Sequence, residues 1–556
     1  MQESASTGIE VERARRDLKR IREYLSEGNL AAAAAAAEAA SLRFQTLPAS
    51  WYWRAMVDQL AGAHLAAILH VQQAIALDPE RPEFFALLAR SQMARHDIYL
   101  AVASAMRAAA LSPEKVQVIE AVAQVLQLGG ELDQALILIE SALQQVPNRP
   151  SLLLAQANLL CTLNRRDDAA HAFESVLAVQ PESGRAHWGL AQLGGWHAQC
   201  HHLERLEALA ERLPEHSAKR CWMDYARYLE HEELGHDELA IAALQRGAAS
   251  QRMLIDFAAD RNARIFVRMK QLLLRWAPET DRVHAAAGVD AAPIPIFIVG
   301  MPRSGARLVE AMMGQNAEVR HAGDNRDFAT CLQRVLGIQS ESFLDEAIAA
   351  RFDEIDFAAV ARLYRDRLRE RHGEAGMVTE SLPANYIYAA AIARALPEAR
   401  LLHVVREPMD NCFSLYRQMC AGVNPFSFDQ EEMAQHYIAY EDWMRQLHAA
   451  LPDRLLSVRY EHLVAAPVTV GRAMFRFCGL QWRDEYSDRT RHSKPLGLAS
   501  LLPVEALHGR FMGRWRRYEH ALQPMQRALA AAGLASPRMD EDALRREQRR
   551  RRSPSI

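Results

Sequence analysis

Four prolines stand at positions 79, 113, 147 and 181, each 34 residues after the one before. A spacing held three times running marks a repeated unit, and 34 residues suit two helices and a turn. The rest of each unit keeps the same register. Alanine recurs twelve positions before each proline, at Ala67, Ala101, Ala135 and Ala169. A second small residue follows seven later at Ala74, Ala108 and Ala142, with Val176 the exception. Another alanine recurs in the first helix of each unit, at Ala55, Ala89, Ala123 and Ala157. Antiparallel helices approach closely only where side chains are small, so these positions mark a helix–helix seam. Larger apolar residues such as Trp51, Phe85, Leu154 and Phe173 then fill the groove beside it. An alanine-rich stretch alone predicts no more than helix; the shared proline register makes it a stack.

This register resembles that of tetratricopeptide repeats. A degraded unit is expected around the alanine run at 31–40, and two more around Trp188–Pro214 and Trp222–Ala249 with drifting spacing. The resemblance implies an all-α superhelix over residues 1–251. Such arrays bury a core by stacking and offer a concave face to a peptide or protein partner. Support or dimerisation of the remaining chain is the alternative role. At 556 residues the chain exceeds what one core organises, so a second domain is expected. A helical, Arg-rich connector over 252–290 leads to it.

The composition changes at Ala291-Ala292-Pro293. Ile294-Pro295-Ile296-Phe297-Ile298-Val299-Gly300 is a short apolar run of the kind that forms a buried parallel strand. It enters Met301-Pro302-Arg303-Ser304-Gly305, and a helical pattern follows through Leu308, Val309, Met312 and Met313. In a strand–glycine loop–helix unit, backbone N–H groups and a helix N-terminus cradle an anion. Gly300 and Gly305 have P-loop spacing, but Ala306-Arg307 replaces the Lys-[Ser/Thr] that grips nucleotide phosphate and Mg²⁺. A kinase or NTPase is therefore disfavoured. A second apolar run, Leu401 to Val405, ends in Arg406, with Ser414 eight residues on in the next predicted helix. An arginine fork and a hydroxyl so placed can converge on one phosphate dianion.

Elsewhere the sequence excludes more than it offers. A formal net charge of -3 gives no global pull toward nucleic acid or acidic lipid. Seven cysteines are scattered without a C-x-x-C pair, which argues against a zinc site or a disulfide framework. No metal is implied. The first residues lack the apolar core of a signal peptide, and no apolar stretch reaches the roughly 18 residues of a membrane span. A cytoplasmic protein without nucleic-acid partners is expected. Six arginines between 545 and 552 make a solvated, disordered tail over 536–556 the expectation.

PIFIVGMPRSG resembles the 5′-phosphosulfate loop of sulfotransferases, specifically the bacterial group with N-terminal tetratricopeptide repeats; tyrosylprotein sulfotransferases are more distant. The resemblance extends through the 3′-phosphate motif at Arg406 and Ser414 and the segment of Phe428-Asp429, Tyr437 and Tyr440. It continues in Val458-Arg459-Tyr460-Glu461-His462-Leu463-Val464 and in Gly513-Arg514-Trp515-Arg516-Arg517-Tyr518-Glu519. With the repeats it runs from about residue 48 to 530. It implies an α/β, P-loop-like fold with a central parallel sheet over 291–535. It also implies 3′-phosphoadenosine 5′-phosphosulfate (PAPS) as co-substrate, leaving PAP. By resemblance, Arg303, Ser304, Gly305 and Ala306 face the 5′-phosphate, and Arg406 and Ser414 the 3′-phosphate. Tyr460 lies near the adenine, and Arg514 belongs to the segment that closes over the nucleotide.

Three departures touch the chemistry. Ala306 and Arg307 replace two threonines of the loop. Ser381 stands where the family's Asp-Lys-x-Pro segment has its lysine. Gly323-Asp324 replaces the Gly-Glu pair that supplies the general base. Asp324 is the candidate base, with His321 and Asp327 as substitutes. Arg307, in the first turn of the loop helix, is the candidate replacement for the lysine charge. The expected function is sulfuryl transfer to a hydroxyl or amine of a peptide, glycan or small molecule. The alternative is a weakened or inactive scaffold that binds partners through its array.

Overall fold

In a computed structural model the protein is described over residues 2–95, 97–112, 114–255, 257–283, 293–323, 326–338, 346–373, 376–419, 424–487 and 512–534. Side chains are described for these residues except 2–11, 277–283 and 323. The N-terminal part is an all-α array of helix pairs. First helices begin at Pro48, Pro82, Val116, Pro150, Gly184 and Ala218, so the 34-residue step holds through six units. Proline at a first helical position costs nothing there, since that N–H has no intrahelical partner. Every alanine of the register, and Val176, is at most 2% exposed.

The two units with drifting sequence, Gly184–Leu193 with Leu203–Arg212 and Ala218–Leu234 with Asp237–Met253, keep the step of their first helices but differ in helix length and, in the former, in a longer connection over 194–202 that holds a bridge between His197 and Cys200. The alanine run forms the second helix of an opening pair, Gln2–Ser26 and Leu30–Arg43. Asn29 caps that helix by accepting from the Ala32 N–H at 3.1 Å.

The C-terminal part holds a five-stranded sheet in the order β2-β3-β1-β4-β5, every pairing parallel. The strands are β1 Ile294–Val299, β2 Val319–Gly323, β3 Met377–Glu380, β4 Arg400–Val405 and β5 Leu455–Arg459. β1 is buried on both faces and is apolar throughout; β4 is buried over 401–404 and carries His403 among its apolar residues, while β5, at an edge, buries Leu455 and Val458 and exposes Ser457 and Arg459. Side chains of β1 divide between two cores. Ile296 and Ile298 pack with the helix Ala306–Met313 and with Leu402, Val404 and Val458. Phe297 and Val299 face the other layer, which contains Phe328, Tyr364, Ile392 and Trp443.

That second core does not stop at the sheet's own helices. Tyr225, Tyr228, Ala240 and Leu244, from the last helix pair of the array, belong to it. So do Phe266, Met269, Leu272 and Trp276 of the helix Ala259–Val283. The array also reaches the other end of the sheet. Arg367, in the helix Phe357–His372, donates to Asp97 at 2.5 Å and to Asp327 at 2.9 Å. Among the described residues no helix is long and apolar enough to cross a membrane, and no group of His, Cys, Asp or Glu is arranged to hold a metal ion.

Candidate active site

From β1 the chain passes to β2 and β3 on one side, then returns across the sheet to β4 and β5. Such a reversal leaves a crevice beyond the carboxyl ends of the strands, here of β1 and β4, where open α/β sheets bind ligands. Four of the five strand ends carry described residues singled out by sequence. β1 runs into Gly300, β3 into Ser381, β4 into Arg406 and β5 into Tyr460.

The loop after β1 is shaped by close approach. Gly300 has φ +153, and a Cβ there would lie 2.4 Å from the Val404 carbonyl oxygen. Gly305 has φ +108, and its Cβ would meet the Tyr460 ring at 2.5 Å. Arg303, at φ +69, takes a left-handed conformation uncommon outside glycine. Its strained backbone is held from the segment after β4: Arg406 donates through Nη1 to the Arg303 carbonyl at 3.2 Å, and Asn411 Nδ2 to the Pro302 carbonyl at 3.0 Å. The helix Ala306–Met313 starts directly behind this turn.

The sequence-predicted residues of the two phosphate motifs meet here. Arg303 Nε donates to Ser414 Oγ at 3.4 Å, across 111 residues of chain. The Arg406 guanidinium lies 5.0 Å from the centre of the Tyr460 ring and is 7% exposed. Ser304 is 1% exposed and its hydroxyl has no hydrogen-bond partner among the described residues. A buried hydroxyl left open beside two guanidinium groups and a helix start fits an anion with several acceptor oxygens. Ala306 and Arg307 open the helix; Ala306 is buried and Arg307 half-buried.

Helix Pro408–Tyr416 holds Ser414 in place and is itself pinned. Glu407 caps it, accepting from the Met409 and Asp410 amides at 3.1 and 2.7 Å. Asp410 accepts the Gly513 N–H with both oxygens, at 2.9 and 2.8 Å. Burial pushes Asp410 up to about 6, against the opposing pull of Arg406 and the Gly513 amide. This contact anchors the segment Arg514–Leu522, where Tyr518 packs on Phe413 at 5.5 Å between ring centres. Arg514 turns to the array. Its Nε donates to Glu232 Oε1 at 2.7 Å, and Arg417 donates to the same carboxylate at 2.8 Å.

On the acceptor side Asp324 lies outside the described residues. Asp327 is unsuited to take a proton from a substrate: it is fully buried and clamped by Arg367 and Arg371. His321 Nδ1 lies 3.0 Å from Thr379 Oγ1 and 3.7 Å from Glu310, its ring wedged against Gly314. Ser381 is 1% exposed. Beside it Glu380 accepts from Tyr364 and Asn385 at 2.8 and 2.7 Å. Burial, with Asp327 adding to it, pushes Glu380 up to about 8. The parts that sequence reasoning missed are Asp410 as a clamp and Glu232. Asp410 lies between Arg406 and Ser414 in the sequence with nothing to give it a role, and nothing in the sequence around Glu232 marks it.

Residues 295–484 match the sulfotransferase family model. The chain is also similar to named relatives. Protein-tyrosine sulfotransferase 1 of Danio rerio is 26% identical over 292 residues, 48% of this chain and 77% of that protein. The protein-tyrosine sulfotransferase of Drosophila melanogaster is 26% identical over 197 residues, 38% of its length. An uncharacterized protein of Aquifex aeolicus is 29% identical over 241 residues, and this chain spans 31% of it. Over the array, pilF of Pseudomonas aeruginosa aligns with 38% of this chain and 95% of its own, at 19% identity and a TM-score of 0.32. A thermophilic TPR protein of Thermus thermophilus aligns with 32% of this chain and 98% of its own, at 19% identity and a TM-score of 0.29.

Proposed function

We propose that the protein is a PAPS-dependent sulfotransferase acting on a hydroxyl or amine acceptor. The observation that carries this reading is the convergence of Arg303, Arg406 and Ser414 at the switch point of a parallel sheet, with the Ser304 hydroxyl buried beside them. Two phosphate-binding motifs at one crevice suit a nucleotide with phosphates on both the 3′ and 5′ oxygens better than they suit ATP. PAPS supplies the sulfuryl group, its sulfur–oxygen bond to PAP breaking as the bond to the acceptor forms.

The chain's own residues then divide the work. Arg406 and Ser414 hold the 3′-phosphate by charge-assisted hydrogen bonds. Arg303, Ser304, Gly305 and Ala306 hold the 5′-phosphate, and Tyr460 and Arg514 bound the nucleotide. Asp324 takes the acceptor's proton, and Arg307 offsets charge at the transferring group where relatives use lysine. Similarity to protein-tyrosine sulfotransferases, together with the helical array, favours a protein-borne hydroxyl as acceptor.

The test is calorimetric titration of the purified protein with PAP, with ADP and an Arg406→Ala variant as controls. Micromolar PAP binding, weak for ADP and lost with Arg406→Ala, is the expected result. Absence of PAP binding by the folded wild type overturns the proposal. Binding without transfer from labelled PAPS to any acceptor favours the scaffold reading, for which the buried Ser381 at the lysine position speaks.

A further inference from the structure

The segment that follows the 3′-phosphate helix in space is held from two sides. Asp410, near the start of helix Pro408–Tyr416, grips the Gly513 amide. Arg417, one residue past the end of that helix, shares Glu232 with Arg514. Glu232 sits in the array helix Ala218–Leu234 with its side chain 1% exposed, and Arg514 bonds it twice, at 2.7 and 2.5 Å. The chain thus closes a ring: Asp410, its helix, Arg417, Glu232, Arg514, Gly513 and Asp410 again. Neighbouring contacts lie along the same array edge, where Asp237 pairs with Arg517 and Glu238 with His520.

Glu232 thus receives two guanidinium groups, those of Arg417 and Arg514, beside the helix that carries Ser414. Arg–carboxylate forks fix orientation as well as charge, because both N–H groups must point at both oxygens. We propose that Glu232, supplied by the helical array, is a positioning residue for the nucleotide site: it aims Arg514 and holds the 513–522 segment closed over the 3′-phosphate helix. This rests on the PAPS reading above. It makes the last repeat pair part of the nucleotide site, not an appended recruiting module.

The test measures PAP affinity by calorimetry and thermal unfolding without ligand, on the full chain. Wild type is compared with Glu232→Gln, Arg514→Ala, the double variant and Arg514→Lys. The expected result is about tenfold weaker PAP binding for Glu232→Gln, and a double variant no weaker than Arg514→Ala alone, because both remove one coupled interaction. Arg514→Lys keeps the charge but loses the fork, and also binds PAP more weakly. Should Glu232→Gln fail to fold, Arg514→Lys decides alone. Glu232→Gln or Arg514→Lys with a lowered Tm but wild-type PAP affinity means a purely structural tie and overturns the inference. A wild type that binds no PAP overturns the PAPS reading and the inference with it, whereas intact wild-type binding with unaffected variants sinks only the inference.

Discussion

Glu380 shows how the strand ends set the state of single residues. Its carboxyl is fully buried and receives donors from Tyr364 and Asn385, yet burial raises it from 4.5 to about 8. Desolvation and the nearby Asp327 charge therefore outweigh the two hydrogen bonds and Arg371. Because the folded state holds a proton that the unfolded chain releases near 4.5, this group's stabilising contribution is complete below that pH. It is lost as pH rises through about 8. Glu380→Gln, which cannot ionise, removes that dependence. In thermal unfolding from pH 5 to 9, the advantage of wild type over Glu380→Gln should shrink as pH rises; an advantage that grows would mean an ionised, charge-paired Glu380. At this scale the sequence was legible only where chemistry is local. Arg406 and Ser414 are eight residues apart, and strand-then-helix order brings them to one crevice. Glu232 meets Arg514 across 282 residues, and Asp410 meets Gly513 across 103, so no spacing announces either pair. Asp327 stands as a substitute base in the sequence because the arginines that clamp it, Arg367 and Arg371, come from a different helix.

Elements were easier to read than side-chain partners, because a helix pair or a buried strand is specified by its own residues. The alanine register located four first helices, beginning at Pro48, Pro82, Val116 and Pro150, and the runs at 294–299 and 401–405 became central strands β1 and β4. What the register could not show was that the two drifting units keep the step, since their seams tolerate larger residues: Leu203 and Tyr225 occupy positions that are alanine in earlier units. The alanine seam itself makes a prediction. Ala135 is 0% exposed between two helices, so Ala135→Leu forces extra carbons into a filled seam and should cost about 1–3 kcal/mol. Ala34, equally helical but exposed, should accept leucine within about 0.5 kcal/mol. Denaturant unfolding followed by far-UV circular dichroism distinguishes the two. Equal small effects would mean that composition, not register, organises the array.

For the whole molecule, a boundary at residue 291 read from composition divides what packing joins. Tyr225, Tyr228, Phe266, Met269, Leu272 and Trp276 all lie N-terminal to it, yet they share one hydrophobic core with Phe297, Tyr364 and Trp443 of the sulfotransferase-like half. A fully buried large apolar side chain contributes about 1.5–3 kcal/mol. Six of them together reach or exceed the roughly 5–15 kcal/mol that separates a folded domain from its unfolded chain. A fragment beginning at residue 291 should therefore show no cooperative thermal transition, whereas one beginning at residue 214, which keeps the last helix pair and the helix Ala259–Val283, should melt in a single step. Scanning calorimetry of the two fragments beside the full chain makes the comparison. A sharp, reversible transition for the shorter fragment would mean that the array docks onto an independently stable domain. Its absence, with cooperative melting of the longer one, would identify the functional unit as sheet plus final repeat. In that case a loss of the repeats removes Glu232 and the second core together, and the nucleotide crevice with them.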